Sequence, residues 1–336
     1  MLYDIIKERN IHYKPIWFMR QAGRHLKEYQ ILRSKYNSFI NFCLNEEAII
    51  NASLMPLKNY NLDAVILFSD ILIVPWVLGQ EVSFIKNFGP KLRPLEENKE
   101  SLINVFDLNK IASIGHAIKR IKNLLPKNKS LIGFSGAPWT LACYMIEGQG
   151  SRNFEKTRKT LWNNKTYILK LIHKLIESVS DFLEFQAKSG ADVLMIFDTW
   201  SQMIPNDYWK ELAIDPIKLI IQELKRRQVF CPVIGFPFKA GEKLIPYSYE
   251  SGVDVISIDW NTDLEWVCKN INHEIITQGN LDPLLLTVNN INLISESVEK
   301  ILKIVKMRPH IFNVGHGLTP QCIPKNVKHV IKIVKG

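Results

Sequence analysis

Short apolar runs rich in Val, Ile and Phe recur along this chain, each followed by a polar turn and then by a segment with helical spacing. The runs are Ile16–Met19, Ala64–Phe68, Leu131–Phe134, Asp192–Phe197, Val233–Phe236, Asp254–Ile258, Glu274–Gln278 and Ile311–Val314. Several are continuously apolar, as parallel strands buried on both faces are. Between them lie amphipathic stretches such as Lys165–Lys188, whose apolar residues Ile168, Leu171, Ile172, Leu175, Val179, Phe182 and Leu183 form one stripe. Strand and helix in alternation predict a parallel α/β fold, and eight strands predict a closed barrel. The run at Ile16–Met19 also reads as a loop leading into the barrel.

A chain of 336 residues has room for two average domains or for one barrel. No linker or shift in composition divides it, so one domain over 1–336 is the expectation. The long interval from Phe68 to Leu131 has room for a helix and a hairpin-like excursion around Val82–Leu92, an insertion after an early strand.

Hydrophobic residues at 46% and charged residues at 23% exclude a disordered or fibrous chain. The N-terminal MLYDIIKERN lacks the apolar core of a secretory signal. The most apolar stretch, Ala64–Gly79, is too short for a membrane helix and contains Asp70. The five cysteines, Cys43, Cys143, Cys231, Cys268 and Cys322, are scattered without a C-x-x-C pair. A soluble, cytoplasmic protein without a disulfide framework is expected. The net charge of +10 is compatible with nucleic acid, an anionic membrane or a polyanionic small molecule. Its lysines are spread along helix-like segments, with a minor cluster at Lys325–Lys335 that reads as the solvated face of a last helix. That pattern argues against nucleic acid.

The strand ends carry the chemical information. They read Arg20-Gln-Ala-Gly-Arg24, Ser69-Asp70, Ser135-Gly-Ala-Pro138, Asp198-Thr199, Pro237, Asp259-Trp260, Gly279-Asn280 and Gly315-His-Gly317. Any strand must end in a turn, and these are turn residues. In a barrel, however, such ends gather at one mouth, where the active site lies. Arg20 and Arg24 are spaced to share a helical face, or to sit on a tight turn at Gly23. Their guanidinium forks suit carboxylates or phosphates.

Pro15-Ile-Trp-Phe-Met-Arg-Gln-Ala-Gly-Arg24 resembles the N-terminal signature of the uroporphyrinogen decarboxylase family of tetrapyrrole biosynthesis. The resemblance continues through Phe68-Ser-Asp-Ile71, Gly133-Phe-Ser-Gly-Ala-Pro-Trp-Thr140 with Tyr144, Phe197-Asp-Thr199, Gln278-Gly-Asn-Leu-Asp-Pro283 and Phe312-Asn-Val-Gly-His-Gly-Leu318. It implies a (β/α)8 TIM barrel that needs no cofactor or metal and forms a homodimer. It also implies removal of carbon dioxide from the four acetates of uroporphyrinogen III, giving coproporphyrinogen III. The family's binding residues carry over to Arg20, Gln21, Ala22, Gly23, Arg24, Asp70, Tyr144, Thr199 and His316, with Asp70, Arg20, Arg24 and Tyr144 as the catalytic set.

The chemistry fits these residue types. An acetate on an electron-rich pyrrole needs no external electron sink once the ring is protonated. Asp70 is expected to accept hydrogen bonds from pyrrole N–H groups and to stabilise the cationic ring. The arginines would hold substrate carboxylates. Tyr144 and His316 are chemically easier proton donors than arginine, which is almost never deprotonated. Each also has a simpler role: Tyr144 as a core aromatic, Thr199 as a helix cap, Asp70 as a turn aspartate. His25 and Lys27 stand where the family has an aromatic residue and a proline, and Ser201-Gln202 replaces small residues. Two other readings compete with this one. A zinc-dependent corrinoid methyltransferase of the same superfamily would need thiolate and imidazole ligands, whereas the relevant strand end reads Gly235-Phe-Pro-Phe238 and the late position is His316. A non-catalytic polyanion- or nucleic-acid-binding protein is the other.

Overall fold

The computed structural model describes residues 2–85, 88–96 and 104–336. Seven parallel strands form one curled sheet: β1 (Ala64–Ile66), β4 (Ser130–Gly136), β5 (Val193–Asp198), β6 (Val233–Pro237), β7 (Val255–Ser257), β8 (Ile276–Leu281) and β9 (His310–Val314). They neighbour one another in chain order, with crossover helices such as Lys165–Ser189 and Ile291–Ile304 between them. β2 (Val82–Ile85) and β3 (Gly89–Leu92) pair antiparallel as the anticipated hairpin, in register Val82 with Leu92. The residues 86–87 that join them lie outside the described part.

The eighth expected strand is not one. Ile16 makes a single parallel bridge to Phe312 of β9. Even so, its segment fills the seam between β9 and β1. Phe312 N–H donates to the Pro15 carbonyl at 2.8 Å, and Asp63 N–H donates to the Ile16 carbonyl at 2.9 Å. Ile16 N–H goes to the Asp63 carboxylate at 2.8 Å. A side chain thus takes the place of a strand neighbour, so no ladder extends beyond this point.

The strands look uniformly apolar because both faces are buried, yet the period of two survives. Ile132 and Phe134, Val193 and Met195, Ile234 and Phe236, and Val255, Ile276 and Ile311 fill the barrel interior with Trp17 and Met19. The alternate residues, Leu131, Leu194, Ile196, Val233, Ile256 and Phe312, pack outward against the helices. The N-terminal helix Leu2–Glu8 plugs the floor, with Leu2 and Ile6 in the inner cluster and Tyr3 N–H on Ser130 Oγ, where β4 begins. With the floor closed, the open end of the barrel is the one at the strand C-termini.

Candidate active site

The Met19–Leu26 loop leaves the seam and lies across that open end. Met19 N–H donates to Asn313 Oδ1 at 3.0 Å, and Leu318 N–H to the Met19 carbonyl at 2.9 Å, tying the loop to the end of β9. Gln21 is wholly buried: its Oε1 accepts the Phe18 N–H and its Nε2 donates to the Ala64 carbonyl. It therefore supports the loop from beneath instead of presenting an amide to a ligand. Arg20 adopts a left-handed backbone, φ 60°, a conformation uncommon outside glycine. A Cβ on Gly23 would lie 2.8 Å from the Arg20 carbonyl, so this turn closes only with glycine there. Ala22 packs on the core rim, while Arg24 is exposed.

Asp70 follows β1. One oxygen accepts the Leu72 N–H at 2.9 Å at the turn before helix Ile73–Val77, so the turn role is real. Among the described residues its other oxygen has no hydrogen-bond partner in the protein. Burial raises its carboxyl to about 6, against the Leu72 N–H and the Arg20 charge, which both hold it down. Arg20 is pulled below its ordinary value by burial and pushed back up by Asp70 and Tyr144. Both groups are ringed by protein at short range yet face the mouth, where Arg20 is exposed and Asp70 half-buried. The cost of burial on them is therefore felt in full only when a ligand displaces water from the mouth.

Tyr144 projects from helix Pro138–Glu147, with its ring edge-on to Phe154 and Trp200 at 6.3 and 6.0 Å. Burial raises its phenol to about 12, so it keeps its proton at neutral pH. His316 lies between two closely packed glycines. A Cβ on Gly315 would meet the Trp260 backbone nitrogen at 2.1 Å, and one on Gly317 the Arg20 side chain at 2.4 Å. Its imidazole packs on Phe238 with ring centres 4.6 Å apart. Burial, helped by Arg20 and Lys239, lowers it to about 4, leaving a neutral ring at pH 7. Thr199 sits half-buried in the turn after β5 and caps no helix.

Arg20 is the hub. Its charge acts on Asp70, Tyr144 and His316 together, so the structure gathers these four at one mouth.

Two side chains beside this group were passed over in the sequence. Asp198, at the end of β5, points outward toward the helix layer. It accepts the Thr140 hydroxyl at 2.6 Å on one oxygen, while its other oxygen is buried without a partner. Burial raises it to about 7. Thr140 Oγ1 in turn accepts the Trp200 N–H at 3.0 Å, which fixes the loop carrying Thr199. The signal was available in strand parity, since Phe197 faces inward and its neighbour must face out. Arg33, laid over the rings of Phe39 and Phe42, opposes the upward push that burial and Asp70 give the Cys43 thiol.

The local departures are absorbed by packing. His25 is buried, stacks on Tyr60 and is held neutral by burial, which lowers it to about 4. Lys27 opens helix Lys27–Ser34. Ser201 Oγ donates to the Phe238 carbonyl at 2.8 Å, and Gln202 leaves its amide oxygen buried without a partner.

The family model of uroporphyrinogen decarboxylase (URO-D) matches residues 1–336. The chain belongs to the uroporphyrinogen decarboxylase family. Proteins named uroporphyrinogen decarboxylase from Rickettsia felis and Rickettsia conorii are 39% and 40% identical to it. These matches cover 98% and 96% of this chain, and 94% and 92% of theirs. A methyltransferase from Methanosarcina mazei shares the fold, with a TM-score of 0.81 over 99% of this chain and 96% of its own, at 15% identity. At that identity the likeness speaks of the barrel alone. The decarboxylase-family chain shows, among the described residues, no group of three or more His, Cys, Asp or Glu placed to hold a metal. Cys231 Sγ lies against the Ala191 carbonyl, and Cys322 is buried against Pro283. Among the described residues no helix is long and apolar enough to cross a membrane.

Proposed function

We propose that this chain decarboxylates the four acetate side chains of uroporphyrinogen III to methyl groups, giving coproporphyrinogen III, without a cofactor. The observation that carries the reading is a carboxylate, Asp70, facing an open mouth beside the Arg20 guanidinium and the neutral donors Tyr144 and His316. At pH 7 Asp70 is ionised, while Tyr144 keeps its proton and His316 is uncharged.

The ring carbon next to the one bearing the acetate, beside the pyrrole nitrogen, takes a proton, and the ring becomes cationic. The bond from the methylene to the carboxylate then breaks, carbon dioxide leaves, and the electron pair neutralises the ring as an exocyclic methylene. A second proton on that methylene gives the methyl group and restores a ring cation. Loss of the first proton from the ring carbon completes the exchange, so each acetate takes up one proton net and releases one carbon dioxide. Asp70 accepts pyrrole N–H groups and stabilises both cations, an interaction stronger in the charged intermediate than in the neutral ground state. Arg20 and Arg24 hold carboxylates, and Tyr144, Thr199 and His316 donate hydrogen bonds to others. Gln21, Ala22 and Gly23 shape the turn that carries the arginines.

The single barrel domain over 1–336, the homodimer and the cytoplasmic location belong to the same reading. The unpaired state of all five cysteines supports the last of these. Incubation with enzymatically generated uroporphyrinogen III, followed by chromatography of the oxidised products, tests the activity. Hepta-, hexa-, penta- and tetracarboxyl porphyrins are the expected series, and their absence at high enzyme concentration refutes it. Sedimentation velocity tests the dimer.

A further inference from the structure

The rim of the mouth after β6 contains a cation with no assigned task. Lys239 adopts a left-handed backbone, φ 58°. Among non-glycine residues of the described chain it shares positive φ with Arg9, Arg20, Phe154 and Gln228. Arg20 and Lys239 are therefore two strained cations at the same barrel end. Strain of this kind persists only where the surroundings enforce it. Here they do: the preceding Phe238 is held on both sides, its N–H donating to the Asp198 carbonyl at 3.1 Å and its carbonyl accepting Ser201 Oγ at 2.8 Å. Ser201 is one of the chain's departures from the family pattern, and its hydroxyl is what ties the two loops.

The side chain is equally placed. Lys239 is exposed, with Nζ 5.5 Å from the Phe238 ring centre and 6.0 Å from that of Trp260. Phe238 is the ring on which His316 packs. Lys239 borders a small cleft that Glu242, Asp259 and Asp263 also line, yet it forms an ion pair with none of them. Asp259 spends its oxygens on the Asn261 N–H and the Thr262 hydroxyl, and Asp263 spends one on the Trp266 N–H. An ammonium lying over two aromatic faces, and held in no ion pair among the described residues, is available to an incoming anion.

We propose that Lys239, near the ring of His316, is a substrate-carboxylate clamp at the β6 rim and holds an outer carboxylate of the tetrapyrrole while Arg20 and Arg24 hold others. His316 supports this placement, since the charges of Arg20 and Lys239 both act on its ring. The inference rests on the decarboxylase reading above. It adds a second grip on an octacarboxylate beyond the Arg20 turn.

The test compares wild type with Lys239→Met, Lys239→Gly and Lys239→Arg in initial-rate assays on uroporphyrinogen III at two salt concentrations. Lys239→Gly suits the left-handed backbone and guards against misfolding. Loss of one charge-assisted contact raises KM about tenfold and leaves kcat within about twofold in the Met and Gly variants. Their KM also becomes less sensitive to salt, and Lys239→Arg stays near wild type. An unchanged KM in Lys239→Gly, or a rise that Arg does not reverse, overturns the clamp while the decarboxylase reading stands. A wild type that turns nothing over removes that reading, and the clamp with it.

Discussion

Asp70→Asn separates what Asp70 does for catalysis from what it costs the fold. Its carboxyl moves from an ordinary 3.8 to about 6 on folding. Between those values the folded chain holds a proton that the unfolded chain has already released. Stability therefore falls as pH rises through that window and is flat on either side. At pH 7 the ionised group costs about 3 kcal/mol, at 1.36 kcal/mol per pH unit. Water in the mouth reaches the half-buried carboxyl and screens part of this, leaving about 2 kcal/mol. Asparagine keeps the oxygen that accepts the Leu72 N–H and removes the charge. With an unfolding entropy near 2.1 cal/mol/K per residue, the variant should melt about 3 °C above wild type at pH 7.5. The gain should shrink to a small remainder by about pH 4, close to the ordinary value of 3.8, and vanish below it. Turnover should fall about a hundredfold or more as the stabilising anion is lost. Differential scanning calorimetry at several pH values, beside the porphyrin assay, reads both effects. A melting point equal to or below wild type at pH 7.5, or a gain that persists undiminished at pH 4, refutes the argument from burial.

Three other outcomes follow from the same geometry. In wild type, kcat/KM should decline about tenfold per pH unit below about 6 as Asp70 takes up its proton; an acid limb centred near 4 would show an unperturbed carboxyl. Gly315→Ala meets the Trp260 backbone at 2.1 Å and should cost about 3 kcal/mol in urea unfolding. Gly317→Ala meets only the flexible Arg20 side chain and should leave stability within about 1 kcal/mol while raising KM, so equal stability losses would contradict the distinction. Thr140→Val takes the hydroxyl donor from the Asp198 carboxyl and should destabilise the fold by about 2 kcal/mol. Because Asp198 stands at about 7 in the fold, both chains should lose stability as pH rises from 4 to 7, and pH-independent unfolding would contradict this.

The barrel was legible in the chain because seven of the eight apolar runs belong to strands buried on both faces. The helix expected over Lys165–Lys188 ends one residue later, at Ser189. The Ile16 run misled because its backbone partners are split between Phe312 and the side chain of Asp63, and no local pattern announces such sharing. Of the site, charge and position disclosed Arg20 and Asp70. Residue type could not tell which way a side chain turns: Gln21 turned inward to hold the loop. Lys239 was invisible for a related reason. A lysine with positive φ is rare, and nothing in Phe238-Lys-Ala-Gly241 announces one.

The seam has a consequence in time. The backbone contacts that lock the Arg20 loop join residues near the beginning of the chain to Phe312 and Asn313, close to its end. During synthesis the arginine turn leaves the ribosome long before its anchor. Over that interval the partly made barrel has strands on which to build but no completed grip for a polyanion. Sequence separation of this length slows the last step of folding. The arginine turn is therefore locked in place only once β9 has joined the sheet.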